Sequence, residues 1–492
     1  MISLALRAPA FPAVMRRFLA LLLCFTLAQP ATMAQGLPDL GDPAQAELSP
    51  QQERKIGESL FRDIRWGSAD YLDDPEVEDY LNKLGNRLVA ASTEARSEFQ
   101  FFALKDPTLN AFAWPGGYIG VNTGLILASD SESELASVVA HEISHVTQRH
   151  IVRLYATQGQ TSAVALAGLL VAILAARSNS SVSEAAIATT QAFGIQRRLD
   201  YTRDFEREAD RIGIQTLSAA GFDVRAMASF FERLQKNTRL YDNNAPAYLR
   251  THPLTSERIA DIENRITQIR YKQTLDSTDF LLVRAKLRAL RGVPVEAVQD
   301  LETLVRDKRW PQAAASYGLA RAYLRDGKPK AAKDALAMAR KSGAESPMLE
   351  SLDAEIEQAL GNPTAARNRY KAALARYPLA RSLRYGYLET LLAQGATQEA
   401  VSAAAEYLKT TTADVTLYTL AAQAYTAQGK RTNAHRYTAE AYALKGQLLE
   451  AIGQLEFARK ANDGDFYDLS MVDARLREFK KRRKDELAEQ KK

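Results

Sequence analysis

The chain has 492 residues, of which 46% are hydrophobic and 25% are charged. This composition is ordinary for a soluble globular protein, and the length predicts two or more domains because single cores rarely grow so large. The formal net charge is +5, and residues 1–34 carry three arginines and no acidic residue, so 5 − 3 leaves +2 for the rest. A charge so close to neutral gives no reason to expect a nucleic acid partner.

Residues 1–34 have the pattern of a cleavable secretory signal peptide. Basic residues precede an apolar run at 18–28, and a small-residue cleavage site ends at Ala34. The run is too short to span a bilayer comfortably, which favours cleavage over anchoring. The only cysteine, Cys24, lies inside it, so the predicted mature chain has neither a disulfide nor a catalytic thiol. Export without disulfides predicts a periplasmic location, and residues 35–48 are predicted to be a flexible leader.

Two helices and a small β-structure are predicted next. Apolar residues recur at helical spacing in 51–66 and in 75–91. Residues 99–104 are rich in aromatic side chains and predict a strand, and 110–121 predicts a hairpin whose turn is Pro-Gly-Gly at 115–117. This hairpin either offers a free edge along which an extended peptide binds or is purely structural, and the sequence favours neither interpretation.

The segment 138–150 contains the pattern His-Glu-x-x-His. His141 and His145 are one helical turn apart, so both imidazoles can bind one Zn²⁺ ion, and Glu142 beside them can take a proton from its water. The alternative is a surface helix with two solvated histidines. That alternative is disfavoured because the chain has only five histidines and because the motif has a largely apolar surround, formed by Leu135, Val138, Val139, Ile143 and Val146.

An apolar stretch follows at 163–176, and it is shorter than a normal transmembrane span. Burial in the core is the commonest explanation for such a stretch. Because it lies between the first metal ligands and the next candidate ligand, this stretch is also compatible with a mobile lid or a membrane-surface helix.

Two histidines leave a catalytic zinc ion one protein ligand short of the usual three. Glu206 is the candidate for the third ligand, and Asp210, one turn later, is the candidate for a carboxylate that orients a ligand histidine. Glu208 fits the spacing equally well. His252, in a loop before a helix predicted at 256–271, could reach the metal region, although a lone loop histidine is usually solvated.

From about residue 274 a repeat appears. Glycines recur every 34 residues and each is followed five residues later by an alanine, at Gly327, Gly361, Gly395 and Gly429 and at Ala332, Ala366, Ala400 and Ala434. A 34-residue helix-turn-helix period is the signature of tetratricopeptide repeats, which form solenoids that usually bind a peptide or protein. The alternative is a solenoid that serves only as support. The basic run at 480–484 could touch acidic lipid or RNA, although a solvated helix end is the usual explanation.

In this order along the chain, these motifs resemble those of M48-type zinc metalloproteases with C-terminal tetratricopeptide repeats. The matching segments are Asn110-Ala-Phe with Pro115-Gly-Gly, His141-Glu-Ile-Ser-His-Val-Thr-Gln-Arg-His150, Glu206-x-x-Ala209-Asp210 and Thr251-His252-Pro253. The resemblance covers essentially the whole predicted mature chain. It implies a mainly α protein: an α+β zincin-type metalloprotease domain with a small β-hairpin or sheet, followed by an all-α repeat solenoid.

The resemblance also implies ligand roles. The family motif counts four residues back from Asp210, which selects Glu206 rather than Glu208 as the third zinc ligand. It further implies that His252 can approach the metal as an extra ligand, displace water and hold the protease latent. The expected cofactor is therefore one Zn²⁺ ion per chain.

The domains expected from the sequence and the resemblance are a metallopeptidase at 49–272, a repeat domain at 273–479 and a basic tail at 480–492. The role that the resemblance implies is zinc-dependent endopeptidase activity in the quality control and assembly of outer-membrane β-barrel proteins. The repeats would bind the assembly machinery or an unfolded or stalled client. Other family members have several membrane spans, and no comparable segments occur in this sequence, so their membrane-embedded chamber is not implied. The alternative is a non-proteolytic chaperone or scaffold with a latent or structural zinc site, which four protein ligands would close.

Overall fold

A computed structural model describes residues 48–93, 98–156, 203–239, 247–308 and 310–489. The predicted signal peptide, all but the last residue of the predicted leader, and the apolar stretch 163–176 lie outside the described residues. From Pro50 to Lys492 the chain forms one compact unit, and every described helix and strand belongs to it. Within the described ranges, no helix is both long enough and apolar enough to cross a bilayer.

The first part of this unit combines helices with three short strands. Its described elements are α1 (Pro50–Gly67), α2 (Pro75–Ala91), β1 (Gln100–Leu104), β2 (Ala111–Trp114), β3 (Tyr118–Asn122), α3 (Thr123–Ala128), α4 (Glu132–Thr147), α5 (His150–Ala156), α6 (Arg203–Ala219), α7 (Arg225–Arg239), α8 (Ala247–Thr251) and α9 (Ser256–Thr267). Helix α2 begins where the sequence predicts. Asp74 accepts hydrogen bonds from the backbone N–H groups of Glu76 (3.0 Å) and Val77 (3.1 Å), and Pro75 occupies the first turn, where its missing N–H costs nothing.

The strands form one sheet in the order β1-β3-β2, with β1 parallel and β2 antiparallel to β3. The predicted hairpin is therefore confirmed. Its turn requires glycine, because Gly116 and Gly117 have φ values of 76° and 90°, and a Cβ atom at Gly116 would lie 2.6 Å from the Cα atom of Arg54. All four residues of the edge strand β2 are buried, so peptide binding along this edge stays a hypothesis.

Helix α4 is the centre of the first part. Ser131 caps it by accepting from the backbone N–H of Glu134 (3.3 Å), and the Glu134 carboxylate accepts in turn from the N–H of Asp130 (2.7 Å). Every residue of α4 from Glu132 to His145 is buried. A helix buried on all faces holds its polar side chains inside the protein, where each of them needs a polar partner.

One predicted helix end differs from the structure by more than one residue. The helix predicted at 256–271 ends at Thr267, where the chain turns in short i→i+3 hydrogen bonds. His252 lies in the loop that the sequence predicts before this helix, directly after α8, and its backbone N–H donates to the carbonyl oxygen of Tyr248 (2.8 Å). Pro253 then ends the helix because it has no N–H to continue the pattern.

The second part is a series of antiparallel helices. They are α10 (Thr278–Ala289), α11 (Pro294–Asp307), α12 (Gln312–Arg325), α13 (Pro329–Arg340), α14 (Pro347–Ala359), α15 (Pro363–Arg376), α16 (Arg381–Ala393), α17 (Thr397–Thr410), α18 (Val415–Ala427), α19 (Arg431–Leu444), α20 (Leu448–Lys460) and α21 (Phe466–Glu489). The glycines of the 34-residue period lie in the turns, with φ between 69° and 79° at the four positions named above. The alanines of the same period are buried between helices. The predicted fold class is confirmed.

Ion pairs fix the repeats to the first part. The Nζ atom of Lys286 in α10 lies 2.6 Å from carboxylate oxygens of both Asp74 and Glu76 at the start of α2. Further along the solenoid, Arg381 donates to Asp79 (2.6 Å). Two separate points of attachment restrict rotation of the repeats against the first part. The domain boundary at 272 stays a prediction.

Candidate metal centre

Four buried side chains from three parts of the chain converge beside α4. They are His141 and His145 of α4, Glu206 of α6 and His252 after α8, and one nitrogen or oxygen atom from each lies within 4.8 Å of the others. The structure thus brings together every residue that the sequence proposed as a metal ligand except Glu208.

The distances from the Glu206 carboxylate to the two histidines fit a zinc ion, and the two histidine nitrogens lie slightly closer together than a tetrahedral ion would hold them. The Nε2 atoms of His141 and His145 are 3.0 Å apart, and the Glu206 carboxylate lies 3.5 Å from the first and 3.4 Å from the second. Donor atoms about 2.0–2.2 Å from a tetrahedral ion lie roughly 3.3–3.6 Å apart. Two imidazoles with one carboxylate are also a donor set of catalytic zinc sites.

His252 lies across the open side of this group. Its Nδ1 atom is 3.0 Å from Glu206 and 3.4 Å from the Nε2 atom of His141, while its Nε2 atom is 3.4 Å from the Glu142 carboxylate. The ring of Tyr248 stacks on it at 4.6 Å. His252 therefore contacts both the ligand group and the proposed proton acceptor.

Helix α6 positions the carboxylates. It approaches α4 closely at Gly213, where a Cβ atom would lie 3.3 Å from the backbone nitrogen of His141. This approach places the Asp210 carboxylate 3.0 Å from the Nδ1 atom of His141, the second-sphere position that the sequence suggested. The two glutamates separate because residues two apart on a helix face opposite sides. Glu206 faces the histidines of the metal group, whereas Glu208 lies outside it, 3.0 Å from His150 and 2.9 Å from Arg153.

Sequence reasoning missed Arg258. This buried arginine of α9 donates to both carboxylate oxygens of Asp210 (2.7 and 2.8 Å), and its Nη1 atom lies 2.7 Å from Glu206. One cation thus neutralises two buried carboxylates, which would otherwise be costly to bury. Nothing local in the sequence distinguishes this arginine from the many solvated ones.

The electrostatic environment favours metal-binding forms of two ligands. Although burial raises the pKa of Glu206, the charge of His252 and hydrogen bonds from the histidines hold that pKa well below its usual range. Burial lowers the pKa of His145 to about 3, so its imidazole is neutral. Burial also lowers the pKa of His141, but the carboxylates of Asp210 and Glu206 more than offset it and raise the pKa to about 10. A metal ion must displace that proton, so binding at this site releases one.

The chain is similar to several known proteins. Residues 75–266 match the model of peptidase family M48, and residues 283–347 and 354–414 match the tetratricopeptide repeat.

The beta-barrel assembly-enhancing protease of Escherichia coli strain K12 is 35% identical over 432 residues, which are 87% of this chain and 88% of that protein. The putative beta-barrel assembly-enhancing protease of Vibrio cholerae is 39% identical over 313 residues, 62% of this chain and 64% of that protein. The mitochondrial metalloendopeptidase OMA1 of Arabidopsis thaliana is 32% identical over 203 residues, 41% of this chain and 39% of that protein. The resemblance drawn from the motifs is confirmed.

Proposed function

The chain belongs to peptidase family M48 and carries tetratricopeptide repeats, and on this premise we propose that it is a periplasmic zinc endopeptidase acting in the quality control and assembly of outer-membrane β-barrel proteins. The single observation that carries the chemistry is the buried group of three imidazoles and one carboxylate beside the Glu142 side chain. The biological role is supported by similarity over 87% of the chain to a protein named a beta-barrel assembly-enhancing protease.

We assign His141, His145 and Glu206 as the ligands of one zinc ion. When bound, zinc supplies a Lewis acid that polarises the scissile carbonyl and lowers the pKa of a water molecule. The Asp210 carboxylate lies 3.0 Å from the Nδ1 atom of His141, and we assign it to orient this ring so that the lone pair of Nε2 is left for the metal.

Glu142 is the general base and acid of the proposed reaction. Its carboxylate accepts a proton from the attacking water and then donates it to the leaving amine. The side chain is fully buried in α4, next in sequence to one ligand and one helical turn from the other, so the proton moves within a space that excludes bulk water.

His252 regulates this site in our proposal. Its contacts with Glu206 and Glu142 place an imidazole where substrate would have to enter, and a fourth protein ligand closes a zinc site. The enzyme is therefore latent until His252 moves away.

We assign to the repeats the binding of a client or of the assembly machinery. A solenoid attached through Lys286 and Arg381 presents its surface next to the peptidase, so a client or the assembly machinery bound there is held near the site. The signal-like residues 1–34 support export to the periplasm. The basic end of α21 remains a candidate for peripheral contact with acidic lipid.

The alternative function is a chaperone or scaffold without proteolysis. The observation that favours it is the same His252, because four protein ligands are typical of a structural zinc site. The two proposals differ in what removal of this one side chain should do.

The deciding experiment compares cleavage of an unfolded β-barrel protein by the wild type and by His252→Ala, each with and without a zinc chelator. A gated protease predicts faster cleavage by His252→Ala, abolished by the chelator and restored by added zinc. His435→Ala, which removes the histidine of the repeats, is the matched control and should cleave at the wild-type rate. Absence of cleavage by every variant, with the client still bound, would support the scaffold instead.

A further inference from the structure

The chain breaks helical geometry immediately after the second histidine of the motif. Helix α4 ends at Thr147, and α5 begins at His150. Between them Arg149 has a φ of 52°, a left-handed conformation that is unfavourable for a non-glycine residue. Its guanidinium Nε donates to Glu53 of α1 (2.8 Å), which holds the turn in place. The turn redirects the chain so that His150 faces back toward His145.

His150 is fully buried and tightly held. Its ring stacks on Phe205 of α6 at a centroid distance of 4.6 Å and an interplanar angle of 12°. Its Nδ1 atom lies 2.8 Å from the Nδ1 atom of His145, and its Nε2 atom lies 3.0 Å from the Glu208 carboxylate. Glu208 also accepts from Arg153 (2.9 Å), which fixes the carboxylate and balances its charge.

These contacts allow only one arrangement of protons if His145 is a ligand. Its Nε2 atom, 3.0 Å from the Nε2 atom of His141, must then keep its lone pair, so its proton sits on Nδ1. That proton is donated to the Nδ1 lone pair of His150. The proton of His150 must therefore sit on Nε2, where it is donated to the Glu208 carboxylate.

We propose that His150 and Glu208 are positioning residues that orient His145 and fix its tautomer for metal binding. This inference rests on the proposed function, in which His145 is a zinc ligand. His150 and Glu208 together orient the ring of His145, as Asp210 alone orients the ring of His141. An imidazole is interposed because Glu208 lies on the opposite side of α6 from Glu206 and does not reach the ligand group itself. One helix thus supplies a ligand and both of the carboxylates that orient the histidines.

The test measures zinc affinity by competition with a chromophoric chelator, using the full-length protein. His150→Phe keeps an aromatic ring against Phe205 but cannot accept the proton of His145. Loss of such an orienting partner costs about 10–100-fold in metal affinity, so this weakening is expected for His150→Phe. His150→Asn restores an acceptor near the Nδ1 position and should bind zinc more tightly than His150→Phe. His435→Phe, the same substitution in the repeats, should leave the affinity unchanged.

A second readout separates positioning from folding. The urea unfolding midpoint of the metal-free protein should change little in Glu208→Gln, because this glutamate is partly exposed. Its zinc affinity should still fall, in the same direction as for His150→Phe, because a neutral amide accepts the His150 proton less strongly. This variant decides the question even if His150→Phe fails to fold.

Wild-type zinc affinity in Glu208→Gln overturns the proposed positioning role, whether or not His150→Phe folds. So does a weakening that is no smaller in His150→Asn than in His150→Phe. Failure of the wild type to bind zinc would instead contradict the proposed function. The two failures are therefore distinguishable.

Discussion

The metal centre and the interfaces between the repeat helices both lie in the protein interior, but different interactions stabilise them. Around α4, charged and polar side chains occupy the core and lie close to groups of opposite charge. Between the repeat helices, the recurrent buried residues are small alanines whose contact is close packing. A network of paired charges fails when one member is removed, whereas a repetitive packed interface loses only one contact among many. A substitution at the metal centre should therefore disable chemistry, whereas one between the repeat helices should only reduce stability.

The largest effect is expected at Arg258. Arg258→Met keeps the bulk of the side chain but leaves the carboxylates of Asp210 and Glu206 without their cation, and breaking a buried pair costs about 3–5 kcal/mol. Urea unfolding of the metal-free protein measures this cost. Arg265→Met on the same helix is the control, because its pair with Asp261 is largely solvated and contributes about 0–1 kcal/mol. Equal shifts in the two variants would show that the network around α4 is no more sensitive than the surface.

An intermediate effect is expected where two repeat helices pack closely. Ala366 is completely buried, and Ala366→Leu inserts three carbon atoms into a filled space, which typically costs about 1–3 kcal/mol. Ala372→Leu places the same side chain on the exposed face of the same helix and should change the unfolding free energy by about 0.5 kcal/mol or less. The zinc content of both variants should equal that of the wild type. A loss of zinc in Ala366→Leu would contradict the separation between the two regions.

The smallest effect is expected at the turns. Gly395 has a φ of 69° and open space around its Cα atom, so Gly395→Ala should destabilise by about 1 kcal/mol through backbone strain alone. Gly453 lies inside α20, also with open space but with no positive φ, and Gly453→Ala should stabilise by about 0.5–1 kcal/mol. Thermal unfolding of the two variants should therefore shift in opposite directions. If both variants shift in the same direction, the positive φ is not the reason why glycine occupies these turns.

The same contrast explains how much the sequence could predict. Local periodicity was sufficient for His141 and His145, for the glycine turns and for the buried alanines, because each depends on spacing within one helix or one repeat. The position of Arg258 and the contact between His150 and Glu208 depend on residues about 50 apart meeting in the fold, and spacing carries no information on that. The pairing of β1 with β3 rather than with β2 was likewise not predictable, because a hairpin pattern specifies only its own two strands. Arg381, which pairs with a residue 302 positions earlier, is a more distant case still.

The most direct test of the proposed peptidase is Glu142→Gln, which removes the proton acceptor and leaves the three assigned zinc ligands, His141, His145 and Glu206, in place. The measurement compares zinc content and cleavage of an unfolded β-barrel protein by His252→Ala, which lacks the proposed latch, and by the double variant that also carries Glu142→Gln. We expect one zinc ion per chain in both proteins, with cleavage by His252→Ala and none by the double variant. Cleavage by the double variant at the same rate would contradict the proposed role of Glu142.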